Sequence, residues 1–340
     1  MNKGYKTAWI YFVIHLLVEI VCFQILFAYF KDIPVAWLMA FLYDFLAFVP
    51  QSLFGVIMDK YKKLNLGLVG AIFMFMSTII IAMRIPSIKI WSLILVSLGN
   101  AIIHAAGAIA TTTVSEGKLS HSAIFVGGGS FGVIIGQTLG GQHASIIISM
   151  ILCVIIAFLI QITNKNWLIE DRKIPNFNIA KKNVNPWIVI LVAFLVVTVR
   201  SYIGYAIPIS WKKELWQSFL LFFVMGFGKV MGGVLSDKFG AKNVGVFSTL
   251  FCIPFLLIGN NNMLISIIGV FMFSLTMSIS FGTLLSVIKD SPGLAFGVTT
   301  IGLFLGTTPI FFISVSTVMN MILIIVLSIA CAIGMYKTLN

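Results

Sequence analysis

The segment GVIMDKYKKLNLG (Gly55–Gly67) nearly recurs as GVLSDKFGAKNVG (Gly233–Gly245). At a constant offset of 178 the first glycine, the valine, the Asp–Lys pair, the asparagine (Asn65 and Asn243) and the last glycine coincide. Ile57/Leu235, Tyr61/Phe239 and Leu66/Val244 are conservative pairs. Each copy is a short charged stretch bounded by glycines and flanked by long apolar runs. The chain is 60% apolar and only 9% charged, with a mean hydropathy of +1.09. So few charges cannot cover the outside of a water-soluble core of that size, so the solvent must be lipid.

A helix crossing a hydrocarbon layer of about 30 Å needs roughly 20 mostly apolar residues. Splitting the apolar runs at charges, prolines and polar clusters predicts twelve spans, near 8–30, 34–58, 66–84, 90–113, 120–142, 144–164, 187–209, 214–236, 244–259, 262–288, 291–313 and 315–337. They are helices because a backbone in lipid must satisfy its own N–H and C=O groups, and the alternation of a β-barrel strand is absent. The first run lacks the pattern of a removable signal peptide and is expected to stay as a span. With the amino terminus inside, fifteen Lys and Arg fall on the inner side, among them Lys165 and Arg172, against five outside. That bias predicts both termini cytoplasmic in a multi-pass protein of the cell membrane. The net charge of +12 then faces anionic headgroups and needs no nucleic acid.

The longest polar stretch, Asn164–Pro186, divides the chain into six-helix bundles at 1–164 and 187–340 joined by a cytoplasmic linker at 165–186. The opening repeat then lands after the second helix of each bundle. A second echo falls on the fifth helix of each, where Gly127, Gly132, Gly136 and Thr138 match Gly297, Gly302, Gly306 and Thr308 at an offset of 170. Two echoes in corresponding elements mark an internal duplication. Parallel repeats about an axis along the membrane normal are one way to build a transporter, with the solute between them at the midplane.

The loop Gly-x-x-x-Asp-Lys, present in both copies and better matched in GGVLSDKFGAK (Gly232–Lys242), resembles the signature loop of the major facilitator superfamily. The first copy departs from it with Lys62 where a glycine is expected. The resemblance covers essentially the whole chain. It implies an all-α integral membrane protein of twelve transmembrane helices in two parallel six-helix repeats of major-facilitator type. Three further stretches, YDFLAFVPQSLFG (Tyr43–Gly55), GNAIIHAAGA (Gly99–Ala108) and GKVMGGVLSDKFG (Gly228–Gly240), resemble the fosmidomycin-resistance-like branch. In the family the loop latches the outward-facing state, which implies that role for Gly55, Asp59, Lys60, Gly233, Asp237 and Lys238. The glycines allow close approach, and the carboxylates at helix ends can meet a cation or the positive N-terminus of an adjacent helix. A topology-setting basic loop is the plainer alternative.

Ionisable groups at bilayer depth are costly unless paired or wet, so each is a functional suspect. Glu19, Asp44 and Arg200 fall near the midplane, with Asn100 at similar depth; His15 lies one turn from Glu19 and His104 one turn from Asn100. Helices 1, 4 and 7 line the cavity in the family, which puts all but Asp44 of these on lining elements. Burial disfavours a charged carboxylate, so Glu19 and Asp44 are candidate proton carriers. Either could instead pair with Arg200 and lock helices together. Arg200 could hold an anionic group, and the histidines could be interhelical hydrogen-bond residues. Lys229, nearer the inner side, is expected to snorkel to the interface or pair with a latch carboxylate. On the fifth helix VGGGSFGVIIGQTLGG (Val126–Gly141), Gly127, Gly136 and Gly140 resemble the glycine motif of antiporter members, although Gly141 replaces its proline. Tight packing through small residues explains them equally. Pro50, Pro208, Pro254 and Pro309 are expected to kink or end helices.

Neither metal, cofactor nor catalytic residues are expected. Cys22, Cys153, Cys252 and Cys331 sit in apolar runs without ligand spacing, and neither a His-Glu-x-x-His motif nor a phosphate-binding loop is present. The loops are too short for a catalytic module. The sequence therefore predicts a monomeric secondary transporter of a small solute, proton-coupled and with a lean toward export by antiport. A lipid or lipid-precursor flippase and a proton-coupled nutrient or organic-anion importer are the alternatives on the same fold.

Overall fold

The computed structural model describes residues 3–64, 66–164 and 173–340. Asn65 of the opening repeat, and Lys165 and Arg172 with the start of the expected linker, lie outside these residues. Twelve apolar helices follow in order: α1 Lys3–Tyr29, α2 Ala36–Lys60, α3 Leu66–Ala82, α4 Pro86–Thr113, α5 Ser120–Gly141, α6 Ile146–Asn164, α7 Pro186–Ala206, α8 Leu215–Phe239, α9 Ala241–Ile258, α10 Met263–Val287, α11 Pro292–Phe312 and α12 Thr317–Thr338. All but α3 are long and apolar enough to cross a bilayer. Among the described residues β pairing is confined to one isolated bridge, Ala180 to Leu339.

Local sequence explains where helices begin and end. Asn185, Asn262 and Ser316 cap the starts of α7, α10 and α12 through their side chains. Glu214 and Gln217 form a reciprocal capping box on α8. Gly240, at φ +87°, makes the sharp reversal between α8 and α9 that a Cβ would oppose. Three helices are interrupted. Pro50 and Pro309 mark breaks in α2 and α11, as expected, since each removes a backbone donor. The third break, in α10 at Leu275–Thr276, has no proline. Pro254 lies inside a continuous α9, and Pro208 lies beyond the end of α7 at Ala206.

Helices α1 to α6 pack mainly on one another, with α1 on α5 and α3 on α4 as broad contacts; α7 to α12 do likewise, with α11 on α7 and α9 on α10. The two sets meet through α5 with α8 and α2 with α11, and more narrowly through α4 with α11 and α5 with α10. α4 is almost wholly enclosed whereas α6 turns most of its surface outward, with Phe158 64% exposed. Lys60 and Lys238 end their helices on one face of the molecule, hereafter the basic face. Residues 179–181 of the connector are bonded there to the end of α12, Asn340 N–H to the Ile179 carbonyl and Lys181 N–H to that of Thr338.

Candidate functional site

Four of the predicted residues converge midway along two helices of membrane-spanning length. α1 supplies His15 and Glu19 from successive turns, and α4 supplies Asn100 and His104 in the same way; all four are buried. His15 Nδ1 lies 2.8 Å from the Phe125 carbonyl and His104 Nδ1 lies 2.9 Å from the Asn100 carbonyl. A carbonyl oxygen can only accept, so both Nδ1 atoms carry hydrogen. The two Nε2 atoms face each other at 2.7 Å, and Glu19 Oε1 sits 3.3 Å from that of His104 and 3.7 Å from that of His15. With both imidazoles neutral, two lone pairs and a carboxylate would point at one another without a hydrogen between them. The cluster is therefore short of one donor and needs a further cation to close it.

That cation is a proton or a metal ion. His15, Glu19 and His104 are a set whose ligand atoms all lie within 4.8 Å of one another, which the sequence did not disclose as a ligand set. Two nitrogens bound at about 2.0–2.1 Å to one tetrahedral ion stand roughly 3.3 Å apart. The observed 2.7 Å is a hydrogen-bond length, so the geometry fits a shared proton. Asn100 Nδ2 completes the shell, 3.2 Å from Glu19 Oε1, 3.3 Å from Cys22 Sγ and 3.2 Å from the Tyr43 hydroxyl.

Asp44, on α2 beside Tyr43, is half-buried and makes no hydrogen bond or ion pair among the described residues; its electrostatic neighbours are Glu19 and Tyr205. Arg200 comes from α7. Its Nη1 donates to the Phe273 carbonyl and to Thr276 Oγ1 (2.6 Å), and its guanidinium stacks on the Phe273 ring at 4.5 Å. That carbonyl stands beside the break in α10, where the helix no longer supplies its partner. Among the described residues Arg200 pairs with neither Glu19 nor Asp44, so the helix-locking alternative is not the arrangement adopted. Lys229 also departs from expectation. It neither snorkels to the interface nor meets a latch carboxylate; its Nζ donates to Ser130 Oγ at 2.8 Å between α8 and α5. Lys229 lies within electrostatic reach of both Arg200 and Glu19.

The repeated loops sit at the basic face and make matching contacts. Asp59, ending α2, accepts the N–H groups of Gly293 (3.0 Å) and Leu294 (2.9 Å) at the start of α11. Asp237, ending α8, accepts those of Leu119 (2.7 Å) and Ser120 (2.9 Å) at the start of α5. Each carboxylate thus caps a helix of the other set, where free N–H groups and the helix dipole favour a negative charge. Gly55 packs against the backbone of Gly293, and Gly233 against Leu119 and Ala123, at separations that leave no room for a Cβ. The motif lysines point outward, Lys60 over the Tyr61 ring and Lys238 over that of Phe239.

The glycine echo has the same symmetry. Gly127 of α5 rests on Gly226 and Val230 of α8, while Gly297 of α11 rests on Ser52 of α2. About two and a half turns on, Gly136 and Gly306 meet α1 and α7 respectively; Gly140 lies against Gln24 and Phe27 of α1. Phe125 links the two regions, since its carbonyl holds His15 and its ring touches Phe296 of α11, which in turn touches Phe281 of α10.

Protein-family models and curated proteins yield no match to the chain. Among solved structures it is similar to FucP, a major facilitator superfamily transporter captured in the outward conformation, with a TM-score of 0.67 and 16% identity over 98% of this chain and 96% of that one. The fold is that of the major facilitator superfamily. At that identity the likeness covers architecture alone.

Sequence reasoning passed over Ser130, Tyr43, Thr276 and Phe125. Each contributes through a partner on another helix, and nothing in an apolar run marks such a residue. Lys229 carried a signal, a lone cation in an apolar helix, and its position along the helix misdirected the reading.

Proposed function

We propose that the chain is a secondary active transporter that moves a small solute by alternating access and couples it to protons, with export by antiport as the direction. The observation that carries this reading is the missing donor among His15, His104 and Glu19, deep in the membrane on helices that face the meeting of the two sets. A site that needs one mobile proton to close is suited to carry one. The moving bodies are the six-helix bundles 1–164 and 187–340, the basic face is cytoplasmic, and the two aspartate caps hold that face shut.

The cluster and the gate are mechanically joined. His15 N–H holds the Phe125 carbonyl on α5, and Asp237 holds the start of that same helix. Loss of the shared proton sets the two Nε2 atoms and the Glu19 carboxylate in mutual repulsion, which drives an imidazole to turn and releases α5. Gain of the proton draws the cluster together and favours the closed cytoplasmic face. The groups that face the cluster are Cys22 on α1, Tyr43 and Asp44 on α2, Asn100 on α4 and Lys229 on α8, and each tunes its proton affinity. Membership of the fosmidomycin-resistance-like branch is part of this reading, supported by three stretches that contain Tyr43, Asp44, Asn100, His104, Lys229 and Asp237.

The test uses proteoliposomes with an imposed pH gradient and, alongside the wild type, Glu19→Gln. Solute-dependent collapse of the gradient by the wild type is expected. The variant should retain gradient-independent exchange of the same solute and lose accumulation. Full gradient-driven accumulation by Glu19→Gln sinks the proton reading, and no flux of any solute by the wild type sinks transport itself.

A further inference from the structure

We infer that Arg200 and Lys229 form an anion-binding site, so that the transported solute carries a carboxylate or phosphate-type group. The inference rests on the transport reading only for the access of solute to the site.

Two cations lie near the break in α10, Arg200 bonded to Phe273 and Thr276 and Lys229 on α8 next to Gly228, which packs on Ser274; neither has a carboxylate within salt-bridge distance among the described residues. Such groups are costly in a membrane interior unless neutralised or wet. Of the negative charges at this depth, Glu19 is held by the two histidines and Asn100, and Asp44 makes no salt bridge with either cation. Both cations keep donors in reserve. Both hydrogens on Arg200 Nη1 are spent on Phe273 and Thr276, which fixes the guanidinium plane and leaves Nη2 and Nε free. Lys229 gives one hydrogen to Ser130 and keeps two. A planar fork locked in place and a compact ammonium on the neighbouring helix suit an oxyanion, which the fork takes through two parallel bonds and the ammonium as a point charge.

Both cations belong to the second bundle, and one of them reaches across to the first. Lys229 rests on Ser130 of α5, whereas Arg200 is fixed to α10 within its own bundle. An anion that draws Lys229 away from Ser130 exchanges a contact between bundles for one with the solute, which gives the ligand a difference in affinity between states. Such a difference is what allows a ligand to shift a conformational equilibrium.

Thermal unfolding of the purified detergent-solubilised protein, at constant sodium chloride, tests the site with inorganic phosphate, succinate, benzoate and the cation trimethylphenylammonium. At least one of the three anions should raise Tm in a saturable manner, and the cation should not. Lys229→Gln should weaken that anion at least tenfold, and Lys229→Arg should largely restore it, a rescue that a packing role would not show. Arg200→Gln should also weaken it; because that change uncaps the Phe273 carbonyl and could unfold the protein, the Lys229 pair decides. Absence of stabilisation by all three anions, equal response of Lys229→Gln and wild type, or stabilisation by the cation alone overturns the inference. Anion binding without proton-linked flux leaves the site and removes the transport reading. Proton-linked flux of a cation without anion binding does the reverse.

Discussion

Neither imidazole of the central pair can give up its Nδ1 hydrogen without abandoning a backbone carbonyl, and this rigidity makes the proton count of the cluster definite. A proton held between His15 and His104 should appear as a strongly downfield proton resonance correlated with Nε2 of a histidine, lost in both His15→Gln and His104→Gln; two ordinary imidazole signals would contradict the geometry. Elsewhere, Gln24 is buried, donates to the Ala144 and Ser145 carbonyls and accepts from Ser149 Oγ, clasping the turn between α5 and α6. Gln24→Leu should cost about 1–3 kcal/mol through the polar groups it leaves unpaired, read as a lower Tm with proton coupling intact. The spacing of His15 with Glu19 and of Asn100 with His104 was legible because helical periodicity alone puts each pair on one face. That the pairs face each other was not, since it depends on how α1 and α4 pack.

At the scale of elements, each aspartate cap joins a charge to two backbone donors of a helix start. Replacing Asp59 or Asp237 by Asn keeps the size but removes the charge and one of the two acceptor oxygens in use, and charge-assisted bonds contribute about 1.5–3 kcal/mol against about 0.5–1.5 for neutral ones. Each substitution should therefore shift the balance between states by roughly tenfold, measured as faster hydrogen exchange at residues 119–120 for Asp237→Asn and at 293–294 for Asp59→Asn. Protection unchanged at both sites would mean that the caps do not hold the face. The glycines separate in the same way. Gly297→Val should lower Tm sharply because the Ser52 backbone occupies the space, whereas Gly141→Ala should be neutral, nothing lying within 4 Å of it. Repetition made the caps readable: two copies of one loop imply two copies of one contact. The break in α10 was not readable, because neither proline nor glycine stands at Leu275–Thr276 and the freed carbonyl is taken by the Thr276 hydroxyl and by Arg200, which is distant in sequence.

Over the whole molecule, α2 with α11 and α5 with α8 form two long seams related by the duplication. The seam of α2 and α11 continues away from the basic face through Phe41 with Phe304 and Trp37 with Phe312. If each cap holds its own seam, Asp59→Asn and Asp237→Asn should be additive in free energy, and the double variant should lose protection at both helix starts together; a double variant no worse than either single one would show that a single cap governs the face. Fold class was legible from hydropathy because lipid permits so few architectures. The proposed anion site was not, because it depends on Arg200 and Lys229, two cations whose positions only tertiary structure relates.

All four thiols are buried, and Cys22 touches the central cluster through Asn100. The native chain therefore carries its own chemical clock. A small water-soluble alkylating reagent should react slowly with every cysteine while the protein rests, and Cys22 can be modified only when water reaches Asn100. Its labelling rate, followed by intact-mass spectrometry with and without added anion, would time the access of water to the central cluster in the unmodified protein.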